Sequence, residues 1–598
     1  MFIRRTTTRR AASGETYHTY RLVESRREGD RVRQATLLNL GRHFDLPEAH
    51  WPSLCVRLSQ LLGKQCVLVP VDLPEAVEAA AQTLAAQFIA RAPAGQSAAE
   101  FVEVDVASLE LTQPRSVGVE HLGLHALAQM EFEPLLAALG INAITRAMIL
   151  AQVVARMAAP GSELATWGWL NDTSALGELL GLSFTDLSIM RLYRAADTLV
   201  KHQRVIETAL FNRVQDLFGF EATVTLYDLT NTYFEGVEAG NVKAKRGHSK
   251  EKRSDCPLLT LGLMLDGSGF VRRSQVFAGN AVEWRTLEGM LAGLGAPPGA
   301  LVVMDRGIAT EANLEWLREH GYRYLVVSRE SGRVMPAGDL TVTTAGGEAL
   351  RVMKVVDEEA GEVRLYCHSP KREEKEQGIN QRFCARFEAG LNKLAAGLAT
   401  LRGEKRPERI QERIGKLKQR CFGVGRHYAI TLETNPEGTA VTGLAFVLKP
   451  VAGTMLTDPG VYCLRSNETA WSEAELWHTY IMLTDLEAVF RSLKSELGLR
   501  PIYHSRESRS DGHLFISVLA YQCVQLIRRQ LKAKGITASW TSLRETLSVQ
   551  RRVTASFTRK DGRALHVRKA TQPEAKLKVI YTALGVDSLP GGLKKLVT

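Results

Sequence analysis

This 598-residue chain lacks several features that would have narrowed its class at once. No stretch stays apolar for the roughly 18 residues that a membrane-spanning helix requires. No apolar segment follows the basic opening MFIRRTTTRRAASG, so the pattern of a secretory signal is missing. None of the 8 cysteines stands in a C-x-x-C pair or a Cys/His cluster, which argues against a zinc framework and for reduced thiols in a cytosolic protein. Internal repeats and long low-complexity tracts are absent. Acid is in modest deficit, 65 Asp and Glu against 76 Lys and Arg, for a net charge of +11. That excess suits a polyanionic partner without demonstrating one. An apolar fraction of 45% and a charged fraction of 24% are ordinary for a folded globular chain of several domains.

What is present divides the chain into six segments. Residues 1–115 form a basic hairpin and helix region. TYHTYRLVES and RVRQATLLNLG flank the turn RREGD as strands, and nine arginines fall between Arg4 and Arg33. They fit a solvated basic edge and a DNA-backbone surface equally. An Ala-rich helix over Leu73–Arg91 and a short strand pair in EFVEVDVASLEL complete the segment. Residues 116–220 are helical, with breaks at Gly140, APGS, LND and GLS. Such helical pairs sometimes bind DNA but more often are plain bundles.

Near residue 221 the pattern changes to alternating and short apolar runs. ATVTLYDLTNTYF, CPLLTLGLMLD and GFVRRSQVFAG read as three strands, followed by helix, strand (GALVVMDRG), helix (TEANLEWLREHG) and strand (YRYLVVSRE). This β-β-β-α-β-α-β order predicts an α/β mixed sheet with flanking helices over 221–332. Residues 333–475 interrupt it as an inserted β-rich subdomain with two charged helices. Two core helices follow in 476–535, and a hairpin and helix occupy 536–598.

Asp228 and Asp305 each close an apolar strand ahead of a polar or Gly-containing turn. The crevice at strand ends is where α/β sheets gather functional groups. Neighbouring aspartates there repel unless a divalent cation neutralises them, and Mg²⁺ suits carboxylate oxygen. Capping of a strand exit is the plainer reading of each alone. The helix WHTYIMLTDLEAVFRSLKSELGLRPIYH offers a third acid. At about 100° per residue, Glu487, Arg491 and Lys494 lie within about 40° of Tyr480. Leu486, Val489, Phe490, Leu493 and Leu497 form the core stripe, and Asp485 and Glu496 fall beyond its edge. Taken alone, Glu487 and Arg491 are an i,i+4 pair on a solvated face.

Together these blocks resemble the DDE-type transposases of bacterial insertion sequences, with an RNase H-like core. The branch is the one whose last acid lies in a Tyr-x2-Arg-x3-Glu-x6-Lys signature. Tyr480, Glu487 and Lys494 match that spacing, while Leu483 departs from its Arg. YDLTNTYFEG is similar to the first-acid block and VVMDRGIAT to the second, and the likeness runs from about 115 to 590. The resemblance implies that Asp228, Asp305 and Glu487 are the catalytic acids and hold two Mg²⁺ ions, with Mn²⁺ able to substitute. It implies cleavage of the element's ends and transfer into target DNA, by a homodimer in a synaptic complex in the bacterial cytoplasm, at the nucleoid. Tyr480, Arg491, Lys494 and Arg306 are expected to contact DNA, as are Lys250 and Arg253 of the basic loop KAKRGHSKEKR. A stand-alone RNase H-like nuclease and a DNA-binding protein that does not cut are the alternatives.

Overall fold

The computed structural model describes all of the chain except residues 10–15, 29–30, 42–43, 63–72, 91–99, 219–223, 236–239, 248–252, 254, 293, 295–298, 330–331, 339, 344–346, 401 and 422. At the N-terminus β1 (Phe2–Arg9), β2 (Thr16–Glu28) and β3 (Arg31–Gly41) make a three-stranded antiparallel sheet. The sequence showed only β2 and β3. The polar run RRTTTR hid β1, which is anchored inward by Ile3, opposite Leu22. Behind the sheet pack α1 (Trp51–Leu61) and α2 (Glu75–Ala90), closing a core around Leu22, Leu54 and Leu58.

The segment expected to be a strand pair is one strand, β4 (Val104–Ser116). Seven helices follow: α3 (Gly118–Gln129), α4 (Phe132–Ala138), α5 (Ala143–Ala158), α6 (Glu163–Asp172), α7 (Leu176–Leu180), α8 (Met190–Lys201) and α9 (Gln203–Phe218). Their starts are legible locally. Asn142 and Ser162 cap α5 and α6 by accepting the N–H of Thr145 and Ala165.

The central sheet is built from β5 (Val224–Tyr233), β6 (Leu258–Asp266) and β7 (Val271–Ala278), then α10 (Leu287–Ala292), β8 (Leu301–Met304), α11 (Glu311–Glu319) and β9 (Arg323–Val327). The element order is the predicted one and the architecture is mixed α/β. β5, β8 and β9 run parallel, and β6 and β7 are antiparallel to their neighbours.

The interrupting segment behaves differently from a separate unit. Its strands β10 (Thr341–Thr343), β11 (Ala349–Asp357) and β12 (Glu362–His368) continue the same sheet. Then α12 (Pro370–Leu398), α13 (Pro407–Arg420), β13 (Tyr428–Thr434) and β14 (Val441–Leu448) leave it to form a lobe with its own core around Phe387, Leu391 and Ile410. β15 (Val461–Ser466) returns between β12 and β9, giving a nine-stranded order β10-β11-β12-β15-β9-β8-β5-β6-β7.

One face of this sheet is covered by α10 and α11. The other carries α14 (Glu473–Ser495) and α15 (Glu507–Ala533), which merge with the N-terminal helices into one large core. A reciprocal capping box, Ser472 with Glu475, starts α14. The chain ends with α16 (Trp540–Ser548), β16 (Arg551–Arg559), β17 (Ala564–Ala570), α17 (Ala575–Leu584) and β18 (Lys594–Val597). β4 pairs with β16, so a four-stranded sheet joins this tail to the segment before the helices. Where α3 meets α16, a Cβ at Gly118 would lie 2.0 Å from the Leu547 carbonyl oxygen, so only glycine permits the contact. Among the described residues no helix is long and apolar enough to cross a membrane, and the seven described cysteines are free thiols. Cys66 lies outside the described residues.

Candidate active site

Parallel pairing of β5 with β8 stops at Tyr227 opposite Met304, so the next residues in register are Asp228 and Asp305. Alternation decides where they point. Leu226, Leu301 and Val303 belong to the core under α14 and α15, while Tyr227, Val302 and Met304 belong to the opposite face. Asp228 and Asp305 therefore share the α14 face on adjacent strands. Each carboxylate is oriented by the next residue's N–H: Leu229 N donates to Asp228 Oδ1 and Arg306 N to Asp305 Oδ1, both at 2.7 Å. Asp228 is half-buried and Asp305 exposed.

Asp228 is not the last residue of its strand, as the sequence suggested. β5 continues to Tyr233 through its pairing with β6. Asn231, read as a breaker, donates to Thr260 Oγ1 across the strands at 3.0 Å, and Thr230 and Thr232 are buried β-branched residues suited to a strand. The crevice arises instead because β8 stops while β5 runs on.

α14 packs on the sheet over β5, β8 and β9. The stripe Leu486, Val489, Phe490, Leu493 and Leu497 is buried, and Glu487 and Arg491 are exposed on the other side. Lys494 is half-buried. The Tyr480 hydroxyl is pushed up to about 12, first by burial and then by the charges of Asp305 and Glu487, which puts it within electrostatic reach of both acids. The far end of β5 is tied to the segment after α14: Thr232 Oγ1 donates to Leu499 O at 3.2 Å, and Ile502 N to Tyr233 O at 2.9 Å. Strand and helix are thus held in one register. Among the described residues the three carboxylates are not drawn within 4.8 Å of one another as a set.

The remaining residues singled out from the sequence are placed as follows. Leu483 is half-buried against the core, so the position where the signature has Arg faces inward here. Glu496 is turned away: its carboxylate accepts from Ser492 Oγ at 2.5 Å and from Thr541 N at 3.2 Å. The side chain of Asp485 lies outside the description. Arg306 donates to the Arg329 carbonyl at 2.9 Å, along the loop rather than outward. Arg253 forks onto Asp255, with two contacts of 2.8 Å, and stacks over Tyr233 with 4.4 Å to the ring centroid. Lys250 lies outside the described residues.

Two features were missed. Glu283, in the turn before α10, lies against the loop after Asp305: a Cβ at Gly307 would sit 2.5 Å from its Oε2. Its only sequence signal was a place in the block FAGNAVEWRTLEGML. The second is buried. Glu163, His504 and His513 bring their ligand atoms within 4.8 Å of one another. His504 Nε2 meets Glu163 Oε2 at 2.5 Å, His513 Nδ1 lies 3.4 Å from Oε1, and Arg156 Nη2 lies 3.7 Å from Oε1 and donates to His513 Nδ1 at 3.2 Å. The Arg156 guanidinium thus lies against two of the three members. Burial raises the Glu163 carboxyl, but the hydrogen bond with His504 leads the effects that overcome it and leave it well below the usual range. Arg156 also donates to Gly161 O and Gly498 O, so the cluster pins the α14–α15 connection to α5 and α6. Residues from two stretches more than 300 residues apart make it, so no local motif announces it.

The N-terminal sheet shows a different charge pattern. Arg4 and Arg21 stand directly opposite each other and exposed, a like-charge pair that costs stability in isolation. Arg4 is partnered by Gln34. A comparison of the chain with curated proteins finds no match. Residues 3–64, which include this sheet, match the family model described as IS1634 family transposase, N-terminal domain, and that match supports an insertion-sequence transposase.

Proposed function

We propose that the chain is a metal-dependent DDE transposase whose five-strand unit β7-β6-β5-β8-β9 is an RNase H-like core. The observation that carries this reading is the placement of Asp228 and Asp305 side by side on the face covered by α14, with Glu487 on the outer side of that helix. The donor set fits Mg²⁺ or Mn²⁺, since all three groups are carboxylates and two are already oriented by backbone N–H groups. Asp228, Asp305 and Glu487 would hold the ions. When bound, a pair of such ions supplies an activated water or hydroxyl and stabilises the leaving oxygen of a phosphodiester.

The chain's own groups do the rest. Tyr480, held neutral at physiological pH, is a hydrogen-bond donor to the strand beside the acids. Lys494 and Arg491 follow on the same polar side of α14 and hold phosphates, as point charge and fork respectively. Arg306 and Arg253 are committed to Arg329 and Asp255 without DNA, so each must exchange that partner for a phosphate. The opposed Arg4 and Arg21 suit a polyanion, which relieves their repulsion. Terminal repeats and target DNA are the partners, and two chains hold two ends, at the bacterial nucleoid.

The test is cleavage of a duplex carrying the element's terminal repeats, with Mg²⁺ varied. Asp228→Asn, Asp305→Asn and Glu487→Gln should bind the ends and fail to cut. Lys494→Ala should bind more weakly and cut slowly. Robust cutting by either aspartate variant would overturn the assignment.

A further inference from the structure

A cavity of about 620 Å³ opens on the flank of α14 away from Glu487. Ala488 and Val489 form one wall, the turn Gly267–Gly269 another, and the C-terminal part of α15 a third. Resting on the transposase reading, we propose that this cavity seats a sugar–phosphate segment of bound DNA, separate from the strand being cut.

The charge pattern argues for an anion. Arg528, Arg529 and Lys532 line the cavity, and among the described residues no carboxylate does. Arg528 and Lys532 are an i,i+4 like-charge pair, which destabilises a helix unless an anion lies between them. Among the described residues neither has a carboxylate partner. Arg529 is already occupied, over the Phe218 ring at 5.1 Å and in the field of Asp266, and is not needed here. The hydroxyls of Ser268, Thr537 and Ser539 add donors at the rim. The N-terminus of α16 adds little, because Glu496 already accepts its Thr541 N–H.

The shape argues for a backbone segment over a bare ion. Val489, Ile536 and Ala538 give the cavity apolar surface beside its cations, as a deoxyribose next to a phosphate requires. The walls are also fixed: Tyr521 Oη donates to Gly269 O and Gln525 Nε2 to Ser268 O, both at 2.9 Å, so the turn is held by α15 itself. Because Ala488 and Val489 belong to the helix that carries Glu487, DNA seated here is positioned relative to the acids.

The test measures binding of a labelled repeat duplex to the full chain across a salt series. The double variant Arg528→Gln, Lys532→Gln should lower the slope of log K against log salt by roughly 1.8, about 0.9 for each contact. A control double variant on the exposed side of α17, Lys576→Gln with Lys578→Gln, should leave it unchanged. An equal drop in the control would mean net charge acts, not the cavity, and would overturn the proposal. So would an unchanged slope in the cavity variant while the wild type binds DNA, which leaves the transposase reading intact. A wild type that binds no duplex would instead sink both. Inorganic phosphate at matched ionic strength separates the sources. Stabilisation of the wild type alone by phosphate, with an unchanged DNA slope, would make the cavity a free-phosphate site and overturn the backbone assignment.

Discussion

Ligand-type side chains stand out in two regions of the molecule, and their charge is handled differently in each. At Glu163 the carboxylate is buried and matched: Arg156 and His504 satisfy it and His513 lies alongside, the two histidines coming from a distant part of the chain. Asp228 and Asp305 sit at a strand-end crevice with Glu487 exposed on α14, and the N–H of the following residue orients each aspartate. An unpaired buried charge is too costly to keep, so the Glu163 carboxylate has to be matched as folded. Asp305 and Glu487 are exposed, so solvent screens their charge and leaves them accessible. Paired burial fits a structural joint, and solvent-facing acids fit a candidate site.

The sharpest way to break this contrast is to neutralise an acid in each place. At the crevice, Asp228→Asn, Asp305→Asn or Glu487→Gln should cut cleavage by more than about 100-fold, beyond the loss typical of an outer-shell partner, with little change in folding. Cleavage assays alongside urea melts show both. At the joint, Glu163→Gln should instead cost about 3–5 kcal/mol of stability by stranding Arg156. Replacing both, Glu163→Leu with Arg156→Met, should recover most of it. A joint variant that melts like the wild type would remove the distinction.

Acid should weaken the joint. The buried His513 ring is pushed down to about 4 from an ordinary 6.5, by burial first and then by the Arg156 charge. The unfolded chain takes up that proton below 6.5 and the folded chain refuses it until about 4. This contribution is therefore complete above pH 6.5 and falls by of order 3 kcal/mol as pH drops to 4. Glu163, held low, loses its contribution in the same direction at still lower pH. Urea midpoints between pH 7 and 4 should show the fall, and His513→Gln should flatten part of it.

The smallest expected effect separates the acids along α14. Glu496→Gln keeps a side chain able to accept from Thr541, so stability should change by less than about 1 kcal/mol and cleavage should persist. A dead Glu496→Gln beside an active Glu487→Gln would mean that α14 presents its other side to the chemistry.

Much of this was readable in advance where the signal is local. The 3.6-residue period of α14 placed Leu486, Val489 and Phe490 inward and Glu487 outward, because a helix's faces follow from spacing alone. The order of the first five central strands followed from alternation and turns. The failures share one cause. β1 is polar and is a strand only because β2 lies beside it, and β4 was taken for a hairpin because its partner β16 comes more than 400 residues later. The strands of residues 333–475 were read as their own unit, whereas β12 and β15 extend the central sheet through β9.

The sequence by itself determined which residues carry charge, which segments alternate, and which face of α14 is dry. Tertiary structure alone decided that β8 would stop where β5 continues, leaving Asp228 and Asp305 side by side beneath α14. It alone decided that Glu163 would meet His504, His513 and Arg156. Periodicity is set by the geometry of a single backbone segment. Strand partners and buried charge networks are set by which distant surfaces cover one another, and that choice is made only when the whole core closes.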